Sequence, residues 1–286
     1  MRVLSAERAF RFLNKAEIFE TVVKVSAVKG GFLHRLFRVE TDKNVYALKV
    51  LNAEIMTRSE AFERFVLSEK FARFLKNRGL SVVAAVGKND TVVFQDEDSF
   101  YMIFAWVNGE TLAPENVGGG HCAQIGRILY KMHTAGFNPS PTDETVVFSH
   151  RDADLKNILW QGTKPFVIDC EAAGYIKPIQ ELLETAVSFS GFRACRFRSD
   201  LFAAVLRGYG QKSAVSNEKM IESYDGMLRS THEWLTYNEK RAQSDNSAEA
   251  RTGRAAIAET SLFLKYCKAE SGRLFETWKK IREAFD

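Results

Sequence analysis

The hydrophobic pattern of this chain changes period once, close to Gly109, and that change limits the folds open to it. Before it, apolar and polar residues alternate, the spacing of strands whose successive side chains face opposite sides of a sheet. Thr21-Val22-Val23-Lys24-Val25, Leu36-Phe37-Arg38-Val39 and Val45-Tyr46-Ala47-Leu48-Lys49-Val50 are three such runs, the last two joined through the turn Asp42-Lys43-Asn44. Residues 82–86, 91–95 and 99–107 return to strand character. Between them residues 59–78 read as a helix, with Phe62, Phe65, Val66, Glu69 and Ala72 on one face and Gly79 as its stop. The expectation is a sheet of about five strands with one inserted helix. After Gly109 the pattern turns helical. Residues 122–135 form an amphipathic helix, short strands near 145–149, 158–160 and 166–168 bracket polar loops, and from Ile179 onward nearly everything is helix. Gly118-Gly119-Gly120 reads as a flexible connection. The fold class is α+β, with a strand-rich first part and a helical second.

Composition narrows the class of function. The 286 residues are 45% hydrophobic and 27% charged, enough apolar material for a sizeable core. Forty basic side chains against 36 acidic ones give a net charge of +4, too even for the concentrated basic face of a nucleic-acid binder. Cys122, Cys170, Cys195 and Cys267 are widely spaced and form no CxxC pair, which fits a reducing compartment better than a zinc or redox site. The first twenty residues mix apolar and charged side chains rather than forming a signal peptide, and no later run is long enough to cross a bilayer. The expectation is a cytoplasmic protein with no membrane partner.

The chemistry concentrates in His150-Arg151-Asp152-Ala153-Asp154-Leu155-Lys156-Asn157, followed by Ile158-Leu159-Trp160 and then Phe166-Val167-Ile168-Asp169. Three polar groups, Asp152, Asn157 and Asp169, sit at fixed offsets in loops between short apolar strands. Phosphoryl transfer needs such a set: one carboxylate to orient the attacking hydroxyl and accept its proton, and an amide oxygen and a second carboxylate to hold Mg²⁺ against phosphate. Asp154 is the rival base, but only Asp152 keeps the five-residue step to Asn157. Lys49, closing the third apolar run, stands where kinase-like proteins place the lysine that contacts the nucleotide phosphates. Its expected partner is a glutamate of the following helix, Glu69 on the inward face, with Glu63 as competitor.

These motifs resemble the aminoglycoside phosphotransferase family, kinase-like enzymes that also include choline, homoserine and methylthioribose kinases. The family's HxDxxxxN loop matches His150 to Asn157, and its ID-aromatic-E segment matches Ile168-Asp169-Cys170-Glu171, with Cys170 in place of the aromatic. Gly126 to His133 is similar to the family's helix ending in Leu-His, and the resemblance covers residues 21–190. It implies a two-lobed fold, with an antiparallel-sheet lobe over residues 1–104 and a helical lobe over 105–286. It also implies Asp152 as catalytic base, Asn157 and Asp169 as Mg²⁺ ligands, and Lys49 on the phosphates of ATP or GTP. Gly30 and Gly31 resemble the nucleotide-covering loop of that group, although a plain hairpin turn explains two adjacent glycines equally well. Phe104 and Trp106 flank the hinge expected to bond adenine. Glu181 occupies the place of an acid that braces the catalytic loop, and His133 reads as structural. The partners implied are a nucleotide and a small-molecule acceptor, such as an aminoglycoside or a choline- or sugar-like metabolite. The alternatives are a noncatalytic nucleotide-binding protein and a Ser/Thr protein kinase; the absence of DFG and APE sequences speaks against the latter.

Overall fold

The computed structural model describes residues 4–28, 34–87, 91–97, 99–140, 144–210 and 216–284. Two compact units divide the chain: Met1–Glu110 with Leu159–Ala173, and Thr111–Ile158 with Gly174–Asp286. Residues 159–173, which follow the Asp152 loop in sequence, therefore group with the N-terminal strands.

The first unit runs α1 (Ala6–Lys15), β1 (Val22–Val28), β2 (Arg35–Thr41), β3 (Val45–Val50), α2 (Ala53–Met56), α3 (Ala61–Asn77), β4 (Ala85–Val86), β5 (Phe94–Asp96) and β6 (Ser99–Ala105). The strands form one antiparallel sheet in the order β1-β2-β3-β6-β4, with β5 also paired to β6. Residues 82–86 and 91–95 are only partly strand. β4 and β5 each cover part of the same edge of β6, which makes six strands where the sequence suggested about five. The alternation of β3 decides which residues face which side: Tyr46, Leu48 and Val50 are buried against α1, while Lys49 points to the other face. Lys49 pairs with Met102 of β6, which packs with Phe65 of α3.

The sequence pattern suggested no element before residue 21, yet α1 closes one face of this sheet. Ser5 caps it, its hydroxyl accepting Arg8 N–H at 3.1 Å, and Ala9, Phe12, Leu13 and Ala16 supply the buried stripe. On α3, Phe65, Glu69 and Ala72 face inward as expected, but Phe62 is exposed in the first turn, its ring edge-on to Phe100 at 6.4 Å. A hairpin of β8 (Ile158–Gln161) and β9 (Lys164–Val167) completes this unit, with Trp160 bridged to Glu110 and Val167 to Val82.

The second unit contains α4 (Gly119–His133), β7 (Val147–Ser149), β10 (Gly174–Ile176), α5 (Pro178–Phe189), α6 (Ser199–Tyr209), α7 (Asn217–Ala242) and α8 (Ser247–Glu283). The glycine run expected to be a flexible connection is instead a helix start, with Gly118 as N-cap and Gly119 and Gly120 in the first turn of α4. β7 pairs with β10, which sets the loop after β7 beside the entry to α5. α4 and α6 cross at close range because each offers a glycine: a Cβ on Gly126 would lie 2.1 Å from the Val205 carbonyl oxygen, and one on Gly208 would lie 2.3 Å from that of Ala123. No helix among the described residues is long and apolar enough to cross a membrane.

Two glycine substitutions in α4 should therefore act in opposite directions. Gly126→Ala forces backbone apart and should destabilise the protein by about 1–3 kcal/mol. A Cβ on Gly120 meets nothing within 4 Å, and Gly120→Ala should stabilise by about 0.5–1 kcal/mol through helix propensity. Chemical denaturation measures both; a destabilising Gly120→Ala would refute the helical start.

Candidate active site

In the second unit, the loop after β7 owes its shape to one backbone twist. Arg151 lies in the left-handed region at φ 62°, a conformation that is costly for a residue with a Cβ. Beneath it is Glu181 of α5, fully buried, whose Oε1 accepts Arg151 N–H at 2.5 Å. Glu181 Oε2 meets His133 Nε2 at 2.8 Å, and His133 Nδ1 meets the Tyr209 hydroxyl at 2.8 Å, so α4, α5 and α6 all support the loop. Burial would raise the Glu181 carboxyl, but its hydrogen bond with His133 and the nearby imidazoles hold it below its ordinary value.

Beyond the twist the loop is bonded to itself. Asp152 N–H reaches His150 Nδ1 at 3.3 Å, and Asp154 N–H donates to Asp152 O at 2.8 Å. Asp154 caps the turn Leu155–Asn157: its Oδ1 accepts Leu155 N–H at 2.5 Å and the Ser188 hydroxyl at 2.6 Å. Asn157 Nδ2 donates to Asp152 O at 2.8 Å and to Asp152 Oδ2 at 2.9 Å. Lys156 Nζ approaches the same Oδ2 at 3.1 Å. Asp152 therefore presents Oδ1 as its proton-accepting oxygen, and Asn157 presents its amide oxygen. Burial, opposed by Lys156 and reinforced by Asp154, raises the Asp152 carboxyl above its ordinary value while its side chain stays 38% exposed. The two aspartates of the motif thus differ in kind. One is a structural cap; the other is held by a single oxygen.

A second cluster lies in the first unit. Asp169 also has a left-handed backbone, φ 63° and ψ 58°, and it starts the turn Cys170–Ala172. Lys49 Nζ lies 2.7 Å from both Asp169 Oδ1 and Glu171 Oε2. Burial would lower the Lys49 ammonium, but the two carboxylates outweigh it and raise it. Glu171 in turn falls to about 2, since His34 and Lys49 overcome the effect of its burial.

Glu69, expected as the partner of Lys49, is buried on the inward face of α3, but its Oε2 accepts Ala85 N–H at 2.6 Å. Burial drives its carboxyl up to about 7, against the pull of that N–H and of the Lys49 charge. Lys49 instead takes its carboxylates from Asp169 and Glu171, because the turn after Asp169 delivers both to the end of its side chain. Phe104 pairs with Ala47, and Trp106 N–H donates to Val45 O at 3.0 Å. Strand alternation then turns the Ala105 backbone groups away from β3, past the end of β4. Gly30 and Gly31 lie outside the described residues. Cys170 is buried, its thiol part of the packing.

Among the described residues no cluster of three or more His, Cys, Asp or Glu side chains could hold a metal alone. The Asn157 amide oxygen in the second unit and the Asp169 carboxylate in the first are each nonetheless a hard donor of the type Mg²⁺ takes when phosphate and water complete its shell. Ser188, Tyr209 and His34 are contributors that the motifs do not announce. Only Ser188 carries a signal, as a hydroxyl on the same buried helix as Glu181.

Glu181→Gln tests the brace. Losing one charge-assisted acceptor in a buried network should cost about 1–3 kcal/mol at neutral pH. The carboxylate's contribution is complete above its ordinary value of 4.5 and is lost as the pH falls through its lower folded value. The stabilities of the two proteins should therefore converge on acidification; a gap that widens would contradict the assignment.

A search of curated proteins finds no match. The model of the phosphotransferase enzyme family matches residues 138–215, the segment that contains Asp152, Asn157, Asp169 and Glu181. Solved structures extend the likeness over nearly the whole chain. Spectinomycin phosphotransferase in complex with ADP and spectinomycin has a TM-score of 0.65 at 11% identity, covering 92% of this chain and 95% of its own. An amicoumacin kinase in complex with AMP-PNP and Ca²⁺ has a TM-score of 0.64 at 11% identity, covering 87% and 92%. Choline kinase from Cryptosporidium parvum Iowa II has a TM-score of 0.63 at 12% identity, covering 96% and 99%. At such identities the likeness is one of fold, and the fold is kinase-like. The segment that matches the phosphotransferase enzyme family thus lies within a chain of kinase-like fold.

Proposed function

We propose that this chain is a cytoplasmic, Mg²⁺-dependent kinase that moves the γ-phosphoryl group of ATP or GTP to a hydroxyl of a small molecule. The observation that carries the reading is the state of Asp152: a carboxylate tied through Oδ2 to Asn157 and Lys156, on a loop fixed from beneath by Glu181. Such a group can orient an acceptor hydroxyl through Oδ1 and take its proton as the new O–P bond forms and the bond to the β-phosphate oxygen breaks. Asn157 and Asp169 would hold the metal, and Lys49 would contact the phosphates once they compete for it with Asp169 and Glu171. The Ala105 backbone groups are suited to bond the adenine or guanine edge. Bound Mg²⁺ would neutralise charge on the transferring phosphoryl group. The remaining residues position and bind.

The acceptor is proposed by class alone. The similar structures include proteins that act on or bind spectinomycin, kanamycin and choline by name, all small hydroxylated molecules. An aminoglycoside or a choline- or sugar-like metabolite is therefore the first group to assay.

Two measurements bear on this. Asp152→Asn is nearly isosteric and should keep the fold and Mg²⁺-nucleotide affinity while turnover falls by about 10²-fold or more. Asp154→Asn keeps the capping oxygen, so it should change stability by less than about 1 kcal/mol and keep most of its turnover. Reversal of the two turnover effects would sink the choice of base.

Nucleotide binding should also depend on the metal. Calorimetric titration with ATP or GTP should show weaker binding without Mg²⁺, and Asp169→Ala should remove most of that dependence. Equal affinity with and without the ion in the unsubstituted protein would contradict the metal assignment. Lys49→Ala should weaken nucleotide binding under either condition.

A further inference from the structure

His34 immediately precedes β2 and is 7% exposed. Burying an imidazole this deeply is costly unless both nitrogens are paired. Nδ1 accepts Asn52 N–H at 2.9 Å, so the ring proton sits on Nε2. Nε2 lies 3.1 Å from Glu171 Oε2, the oxygen that also takes Lys49 Nζ at 2.7 Å. Phe65 meets the ring edge-on, with centroids 5.7 Å apart and planes at 70°, which fixes the remaining rotation. A continuous chain of bonds thus runs from the Asn52 backbone through His34 and Glu171 to Lys49 and Asp169.

We propose that His34 is a positioning residue for nucleotide binding, fixing Glu171 as the carboxylate that orients Lys49 in the place the sequence pattern suggested for Glu69. The inference rests on reading Lys49 as the phosphate-contacting cation. Glu69 is poorly suited to orienting a lysine, because its carboxylate is occupied by Ala85 N–H. Glu171 Oε2 has two donors, His34 and Lys49, and its position depends on the donor other than Lys49, because Lys49 must remain able to turn toward phosphate. His34 provides that donor. It is anchored to the backbone at its far side.

The competing role for His34 is purely structural, as the acceptor for Asn52 N–H at the start of α2, where Asn52 itself caps the helix. Two amides separate these roles. His34→Asn places its amide near Nδ1 and can serve Asn52, but falls short of Glu171. His34→Gln reaches the Nε2 position and can donate to Glu171. The experiment is calorimetric titration of the unsubstituted protein, His34→Asn, His34→Gln and His34→Ala with Mg²⁺-ATP and Mg²⁺-GTP, with the melting temperature of each recorded.

The expected result is about a tenfold or greater loss of affinity in His34→Asn and His34→Ala, as for other residues that orient a ligand through a second group, with His34→Gln retaining most of it. His34→Asn should lose this affinity while melting close to the unsubstituted protein. Should His34→Ala fail to fold, the Asn and Gln variants still decide the matter. Affinity kept in His34→Asn and lost in His34→Gln would overturn the proposal in favour of the structural role, and equal affinity in all variants would overturn it outright. Failure of the unsubstituted protein to bind either nucleotide would overturn the phosphotransferase reading itself, and this inference with it.

Discussion

The hydrogen bond from Arg151 N–H to the buried Glu181 carboxylate is the constraint on which the proposed chemistry depends. A non-glycine residue in the left-handed region costs about 1–2 kcal/mol and persists only where its surroundings impose it. Here three helices impose it, because Glu181 is itself held by His133, and His133 by Tyr209. The twist turns the chain from β7 into the loop so that Asp152 faces Asn157 while Asp154 faces Ser188. The helical packing is therefore part of the site. Gly126 and Gly208 let α4 and α6 approach closely, and those helices carry His133 and Tyr209.

Asp169 repeats the device in the first unit. Its left-handed backbone starts a short turn that returns Glu171 toward Lys49, so two carboxylates share one ammonium. Without phosphate, a lysine buried on the α3 face of the sheet has to be compensated, and these carboxylates do so. A nucleotide would exchange one set of anions for another. The two carboxylates thus balance the charge of a basic side chain that is only 14% exposed, and under the proposed function phosphate would take their place.

Much of this is legible in the sequence, and what is not has physical causes. The period change near Gly109 separates strands from helices because side-chain direction follows backbone geometry residue by residue. β2 and β3 read clearly because one face of each is buried and the other is not. β4 and β5 are shorter than their apolar runs suggest: β6 is long enough to pair with two short strands, and nothing local states where each stops. α1 is easily passed over since its apolar stripe is narrow, although Ser5 and the spacing of Ala9, Phe12, Leu13 and Ala16 mark it. The spacing of Asp152, Asn157 and Asp169 is visible because loop chemistry needs fixed offsets. The partner of Lys49 is not, since Glu171 lies 122 residues away and reaches it only through a turn whose backbone no propensity predicts. Glu69 satisfies every local criterion and is claimed by Ala85 N–H instead.

The central claim is that phosphate leaves a nucleotide for a small hydroxylated molecule. It is tested most directly by incubating the protein with Mg²⁺ and ATP or GTP labelled at the γ-phosphate, in the presence of a panel of aminoglycosides, choline-like alcohols and sugars. The products are then separated and the label located. The account predicts label on a hydroxyl of at least one small acceptor and none on serine or threonine in a mixed peptide pool. Label that stays in the nucleotide across the whole panel, or that passes to the peptides, would contradict it.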